Sequence, residues 1–161
     1  MKNLVVYFSL EGNTDYVANI IKKKTGADLL RLEPKKAYAD SGFAKFFWGG
    51  KSAVMAERPD LLGYTIDLAQ YDRIIFGFPV WAGTFTPPLR TFIEDNRAEL
   101  DGKQFFAFAC QSGSGAEKAF EKLSKCIGIE SFEHTAVFID PKSKSSEIKD
   151  AQIEAFCQMM I

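Results

Sequence analysis

The sequence predicts an α/β fold in which helices cover both faces of a parallel sheet. Five short runs are apolar almost throughout, which is typical of parallel strands buried on both sides. These runs lie at 3–8, 27–32, 72–78, 104–110 and 135–139. Helical patterns separate most of them, and such alternation favours a doubly wound sheet. No internal repeat or low-complexity tract interrupts it, so we expect a single domain over residues 1–161.

The first strand leads through a polar turn into the first helix. Residues 3–8 read NLVVYF, and a Gly-containing turn follows at 9–14. An apolar pattern at helical spacing then ends in three lysines before Gly26. Lysines in a last turn interact favourably with the helix dipole, and a following glycine is a common C-cap. A helix that ends at Gly26 is therefore predicted; an anion-binding lysine patch is the alternative interpretation.

Three further helices are expected in the rest of the chain, near 86–96, 115–127 and 146–160. Thr86 precedes two prolines, and proline at the first helical position loses no needed N–H. The residues Ser-Gly-Ala-Glu at 114–117 match a capping box, which predicts Ser114 as the N-cap of the following helix. Gly128 is expected to end that helix.

Residues 34–63 do not fit the simple alternation, because this segment is long for a connection between strands. Part of it is expected to form the missing helix, and the rest is an excursion. The segment carries a charge of +3 over 34–58 and contains four clustered aromatic residues, Phe43, Phe46, Phe47 and Trp48. These rings either pack on the body of the protein or cover a binding site.

The composition excludes several functional classes. Lys and Arg number 20 against 21 for Asp and Glu, whereas nucleic-acid binders usually have a basic excess. A single His and three Cys without a C-x-x-C motif indicate neither a metal site nor a disulfide framework. No stretch reaches the roughly 20 apolar residues of a membrane helix. We therefore expect a protein of the reducing cytoplasm without a metal, nucleic-acid or membrane partner.

The first loop of interest follows the first predicted strand and contains Ser9, Glu11, Gly12, Asn13 and Thr14. In an open parallel sheet, ligands bind beyond the carboxyl ends of the strands. Free N–H groups at a helix start, together with hydroxyls, suit a phosphate. Because the loop has no Lys or Arg, N–H and O–H donors alone would hold that phosphate. The alternative is a helix N-cap formed by Asn13 or Thr14, without a ligand.

Two more loops follow the runs at 72–78 and 104–110. The first of them places Trp81 just past a strand end, where an indole either covers a flat ligand or packs in the core. The other, at 111–115, consists mostly of small residues, which let backbone N–H groups approach a planar ligand closely. An ordinary Ser-capped helix start is the alternative there. Together, the three loops indicate one ligand with a phosphate and a flat polar ring.

Three stretches carry a family resemblance: YFSLEGNT at 7–14, GFPVWAGTFTPPLRTFIE at 77–94 and ACQSGSG at 109–115. They resemble the phosphate loop, the flavin-ring loop with its following helix, and the second ring loop of the flavodoxin family. The resemblance covers essentially the whole chain and implies a five-stranded sheet of order 2-1-3-4-5. It also implies a non-covalent FMN. Ser9, Glu11, Gly12, Asn13 and Thr14 would surround the phosphate, and Pro79, Val80, Trp81, Ala82, Gly83, Ser112, Gly113, Ser114 and Gly115 would lie along the isoalloxazine.

The chain departs from the family pattern at two points. Glu11 replaces the central Thr of the phosphate loop, and residues 111–115 contain no aromatic ring to stack on the exposed flavin face. The resemblance implies an FMN electron-transfer protein that serves redox partner proteins. The uncovered ring face favours an alternative, an NAD(P)H-dependent FMN oxidoreductase of the quinone- or flavin-reductase type with a small acceptor. The cofactor would supply the chemistry in both cases, so no side chain is assigned a catalytic role. A flavodoxin-fold domain that binds no flavin is the third possibility.

Overall fold

The strands of the protein form one parallel sheet. The computed structural model describes residues 1–38, 50–143 and 147–161. The strands are β1 (Asn3–Tyr7), β2 (Asp28–Arg31), β3 (Arg73–Pro79), β4 (Gln104–Gln111) and β5 (His134–Ile139). They pair in the order β2-β1-β3-β4-β5, and each neighbouring pair is parallel. The predicted doubly wound α/β fold and its strand order are confirmed.

Helices flank this sheet on both faces. They are α1 (Asn13–Thr25), α2 (Pro87–Asp95), α3 (Arg97–Leu100), α4 (Ala116–Ile127) and α5 (Glu147–Gln158). Residues 50–54 are also helical, and a 3-10 helix at Leu68–Gln70 precedes β3. No helix within the described ranges is both long and apolar enough to cross a membrane.

Each face of the sheet has its own apolar core. Successive residues of a strand point to opposite faces, so Ile75 packs with Phe156 of α5, on the face that α1 also covers. Phe76 packs on the other face with Phe92 of α2 and Leu123 of α4. The central strands β1, β3 and β4 are buried along most of their length, whereas the edge strands β2 and β5 are largely exposed or half-buried. Burial on both sides is the reason that the central runs are apolar throughout.

Most of the expected helix ends are confirmed, but the capping box is wrong. Gly26 and Gly128 are the C-caps of α1 and α4, with φ values of 72° and 89°, and Thr86 is the N-cap of α2. The N-cap of α4 is Gly115, at φ 108°, and not Ser114. The side chain of Gln111 reaches across the loop, and its Oε1 accepts the N–H of Ala116 at 3.1 Å. The Gln111 side chain, from the end of β4, therefore has the helix-capping role that was predicted for Ser114.

The excursion between β2 and β3 comprises residues 34–63, and backbone hydrogen bonds join its two ends. Lys35 N–H donates to the carbonyl of Asp60 at 2.8 Å, and Leu62 N–H donates to the carbonyl of Glu33 at 2.7 Å. Part of the expected helix is present at 50–54. The aromatic residues Phe43, Phe46, Phe47 and Trp48 lie outside the described residues, so their role stays a prediction.

Gly77 supports the first testable prediction, because the buried Phe108 ring lies over it. A Cβ at residue 77 would be 2.3 Å from Phe108 Cζ. Forcing an extra methyl into a packed core costs about 1–3 kcal/mol. We expect Gly77→Ala to lower the free energy of unfolding by this amount in urea titrations. Gly63→Ala is the control, since a Cβ there meets nothing within 4 Å. Equal stability of both variants would contradict the described packing.

Candidate functional site

A cavity of about 250 Å³ opens at the carboxyl ends of β1, β3 and β4. All fourteen predicted site residues belong to the described part of the chain, and eleven of them line this cavity. They are Ser9, Glu11, Asn13, Thr14, Pro79, Val80, Trp81, Ala82, Ser112, Gly113 and Ser114. Gly12, Gly83 and Gly115 belong to the same loops without lining the cavity. The structure thus brings the three predicted loops to one place.

The first loop presents the N-terminus of α1 to the cavity. Gly12 is the N-cap at φ 102° and offers no side chain, so the alternative interpretation of an N-cap at Asn13 or Thr14 is wrong. Ser9 Oγ instead accepts the N–H of Asp15 at 3.2 Å. The first N–H groups of a helix lack intrahelical partners and carry the positive end of its dipole. This end of the cavity therefore suits an anion.

A polar network behind the first loop holds it in place. Arg31 of β2 donates to the carbonyl of Ser9 at 3.2 Å and lies 3.4 Å from the Asp15 carboxylate. Tyr7 donates its hydroxyl to the same carboxylate at 2.6 Å. Burial, together with this hydrogen bond, raises the pKa of Tyr7 above its usual range. The hydroxyl therefore remains a donor at any physiological pH.

Lys142 adds a cation that the first loop itself lacks. Its backbone N–H donates to Asn13 Oδ1 at 3.0 Å. Its ammonium lies 2.9 Å from the point that a Cβ of residue 12 would occupy. Lys142 follows β5 and is distant in sequence from the loop, so local sequence patterns do not reveal the contact. The glycine at position 12 leaves room for the lysine side chain.

The second loop is a tight hairpin that carries Trp81. Trp81 and Thr84 exchange both backbone hydrogen bonds, each at 3.0 Å. The two residues between them have positive φ values, 50° at Ala82 and 69° at Gly83. Two positive φ values define a type I′ turn, which suits a two-residue hairpin. This turn directs the half-buried indole of Trp81 to the cavity wall.

The third loop lies directly against the second. Gly115 has a φ of 108°, and a Cβ there would be 3.0 Å from the Cα of Gly83. Ser112 Oγ donates to Asp140 Oδ1 at 2.5 Å, which ties the loop to the end of β5. Residues with small or no side chains thus allow the second and third loops to meet at the cavity edge.

Cys110 forms part of the cavity lining and is buried. Burial raises the pKa of its thiol to about 12, while a hydrogen bond with Thr14 acts in the opposite direction. The thiol is therefore protonated at neutral pH and is a poor nucleophile. It serves as a small, uncharged surface beside Thr14.

The chain that forms this site also matches a known protein family. A flavodoxin family model matches residues 2–152. The chain belongs to the flavodoxin family. The strand order reverses between β1 and β3, and the three loops follow strands on both sides of that point. Open α/β sheets bind ligands at such a point, which agrees with this membership.

Solved structures resemble this flavodoxin along nearly its whole length. A Lactobacillus acidophilus flavoprotein in complex with FMN has a TM-score of 0.75 at 16% identity, covering 96% of this chain and 97% of that one. A candidate flavoprotein from Bacteroides uniformis has a TM-score of 0.74 at 22% identity, covering 98% and 97%. A flavodoxin, WrbA-like protein from Agrobacterium tumefaciens has a TM-score of 0.60 at 16% identity, covering 97% and 92%. At these identities the likeness shows the shared fold.

Four further residues of this flavodoxin line the cavity without having been assigned there from sequence: Leu10, Gly50, Cys110 and Gln111. Leu10 and Gln111 lie within the first and third predicted loops, and Cys110 directly precedes the third, so counting every position of these loops and one before would have included them. Gly50 comes from the excursion between β2 and β3. Its position depends on the path of that excursion, which no local pattern reveals.

The type I′ turn supports a second prediction. An L-residue in the left-handed region costs about 1–2 kcal/mol, and Asn-Gly is the preferred pair for such turns. We expect Ala82→Asn to raise the free energy of unfolding by about 0.5–1 kcal/mol and Gly83→Ala to lower it by about 1 kcal/mol. A Cβ at residue 83 meets nothing within 4 Å, so a loss would report backbone strain alone. Urea titration of the protein without ligand measures both values, and opposite signs would disprove the assigned turn.

Proposed function

We propose that this chain is an FMN-binding electron-transfer protein that serves redox partner proteins. The observation that carries the proposal is one cavity with two chemically different ends. Hydrogen-bond donors of the first loop and the α1 N-terminus form one end, and the Trp81 hairpin and the glycine-rich third loop form the other. FMN also has two chemically different ends, a phosphate and a flat polar ring, and each would face the matching end of the cavity.

The donors at the first end fit a phosphate. Backbone N–H groups at the start of α1, with the hydroxyls of Ser9 and Thr14, would bind its oxygens. The Lys142 ammonium beside Gly12 would neutralise part of its charge. A single helix N-terminus with one nearby cation suits one phosphate group, which supports FMN over a dinucleotide.

The second end fits a planar ring. Trp81 and Val80 supply apolar surface, and residues 112–114 supply backbone groups. Glycine at position 115 lets this loop pack against Gly83. Bound FMN would supply one- and two-electron redox chemistry, and the protein would supply binding, orientation and access to the ring.

The third prediction concerns the cofactor and the role of Lys142. Protein that is purified or reconstituted with flavin is denatured, and the released flavin is identified by chromatography; FMN is the expected result.

The role of Lys142 is tested by comparing the binding of FMN with that of riboflavin, which has the same ring but no phosphate. Removing one partner of a partly exposed ion pair costs up to about 1 kcal/mol. Lys142→Gln should therefore weaken FMN binding about two- to fivefold and leave riboflavin binding unchanged.

Lys125→Gln is the matched control, because Lys125 pairs with Glu121 on the exposed surface of α4. It should change neither affinity. Release of FAD, or no uptake of FMN at micromolar concentration, would reject the proposed function. Equal losses of FMN and riboflavin affinity in Lys142→Gln would reject a direct action of Lys142 on the phosphate.

A groove beside the cavity favours a second candidate function, an NAD(P)H-dependent oxidoreductase with a small acceptor. The groove has a volume of about 770 Å³ and shares Ala82, Gln111 and Ser114 with the cavity. Lys118 and Lys122, one helical turn apart on α4, line it, and within the described ranges neither forms an ion pair. The volume suits a small-molecule ligand, and two unpaired cations suit the phosphates of a nicotinamide dinucleotide.

The fourth prediction concerns these lysines. If the second candidate is correct, FMN-loaded protein oxidises NADPH or NADH with a quinone acceptor. Two partly exposed ion pairs are worth up to about 1 kcal/mol each. The double variant Lys118→Gln/Lys122→Gln should therefore raise KM for the dinucleotide about three- to thirtyfold with little change in kcat. Lys125→Gln is again the control. Absence of turnover in FMN-loaded protein would exclude this candidate and leave the electron carrier.

A further inference from the structure

Tyr38 lies at the start of the excursion and contacts the wall of the cavity. Its ring centroid is 5.0 Å from that of Trp81, and the two rings are at 79° to each other. Phe8, at the end of β1, meets both rings edge-on, at 5.8 Å from Tyr38 and 5.6 Å from Trp81. Edge-to-face pairs at these distances are a favoured aromatic geometry. The three rings thus form one cluster behind the cavity-lining indole.

The hydroxyl of Tyr38 is anchored at the other end of the excursion. Ser52 Oγ donates to Glu57 Oε2 at 2.6 Å, and the Tyr38 hydroxyl lies 3.2 Å from Ser52 Oγ. A serine hydroxyl has one proton and a carboxylate has only acceptors. Since Ser52 gives its proton to Glu57, Tyr38 must donate to Ser52. A directed chain of two hydrogen bonds therefore runs from the tyrosine through buried Ser52 to Glu57.

The hairpin fixes the backbone of Trp81 but not the rotation of its side chain. Among the described residues, Phe8 and Tyr38 are the aromatic neighbours that restrict the indole. Phe8 is a core residue at the end of β1, whereas Tyr38 belongs to the excursion. The hydrogen bond to Ser52 helps to fix the position of Tyr38, so the excursion restricts the indole through the Tyr38 ring.

We propose that Tyr38 is a positioning residue, which holds the Trp81 indole as a wall of the flavin site and is itself held by Ser52 and Glu57. The inference rests on the proposed function for the identity of the ligand, but the contact between the two rings exists without a ligand. Tyr38 does not line the cavity. It therefore acts on ligand affinity through Trp81.

A double-mutant cycle tests this coupling. Loss of one aromatic edge pair is worth about two- to tenfold in affinity. Tyr38→Leu should weaken FMN binding by this factor in the parent protein and have no effect in Trp81→Ala, because the indole is already absent. Tyr38→Phe keeps the ring and removes the hydroxyl, so we expect a smaller loss. Ser52→Ala removes the same hydrogen bond together with the one from Ser52 to Glu57, so it should weaken FMN binding at least as much as Tyr38→Phe.

A second measurement reports the indole itself and needs no flavin. In a Trp48→Phe background, Trp81 is the sole tryptophan, and acrylamide quenching of its fluorescence measures its exposure. Tyr38→Leu should increase the quenching constant in the protein without ligand. Tyr64→Leu is the matched control, because Tyr64 is also a tyrosine with an aromatic neighbour and a hydrogen-bonded hydroxyl. Its ring packs on Phe92, and its hydroxyl accepts a hydrogen bond from the Asn96 side chain. It should lower stability without changing quenching or FMN affinity.

The affinity and quenching measurements each decide whether Tyr38 positions the indole. Equal affinity losses from Tyr38→Leu with and without Trp81, or unchanged quenching, would overturn it. If the parent protein binds no FMN, the proposed function fails. In that case the quenching comparison between Tyr38→Leu and Tyr64→Leu still decides whether Tyr38 positions the indole.

Discussion

The parallel pairing of β1, β3 and β4 is the constraint on which the rest of the structure depends. Parallel strands need crossover connections, and here helices on both faces provide most of them. The helices bury the three strands on both sides, so the strand sequences are apolar throughout. The same alignment brings all three carboxyl ends to one edge of the sheet. Polar residues excluded from the strands therefore collect in loops at that edge.

The reversal of strand order between β1 and β3 turns this edge into a cavity. The chain leaves β1 toward β2 on one side and later enters β3 on the other, so the loops after β1 and β3 diverge and leave a space between them. Charged groups from β2 and from the segment after β5 then shape the end of the cavity that suits an anion. Arg31 holds the Ser9 carbonyl, and Lys142 lies beside Gly12.

Backbone geometry decides how closely the loops approach each other. The hairpin after β3 needs two positive φ values, and it uses Ala82 for one of them despite the steric cost. Gly115 lets the loop after β4 touch this hairpin. The described ends of the excursion place Tyr38 against Trp81 and Gly50 on the cavity. The wall of the site is thus made by segments from both halves of the chain.

The sequence by itself determined the fold class, the approximate strand positions and the three loops, because these follow from local patterns. Apolar runs, helical spacing and glycine C-caps at positions such as Gly26 and Gly128 each depend on a few neighbouring residues. Tertiary structure alone decided the contacts between distant segments. Gln111 replaces Ser114 in capping α4, Lys142 reaches Gly12 from beyond β5, and the excursion brings Tyr38 to Trp81. Such contacts depend on where the sheet places each chain segment, and a linear pattern does not encode the path of a side chain across that distance.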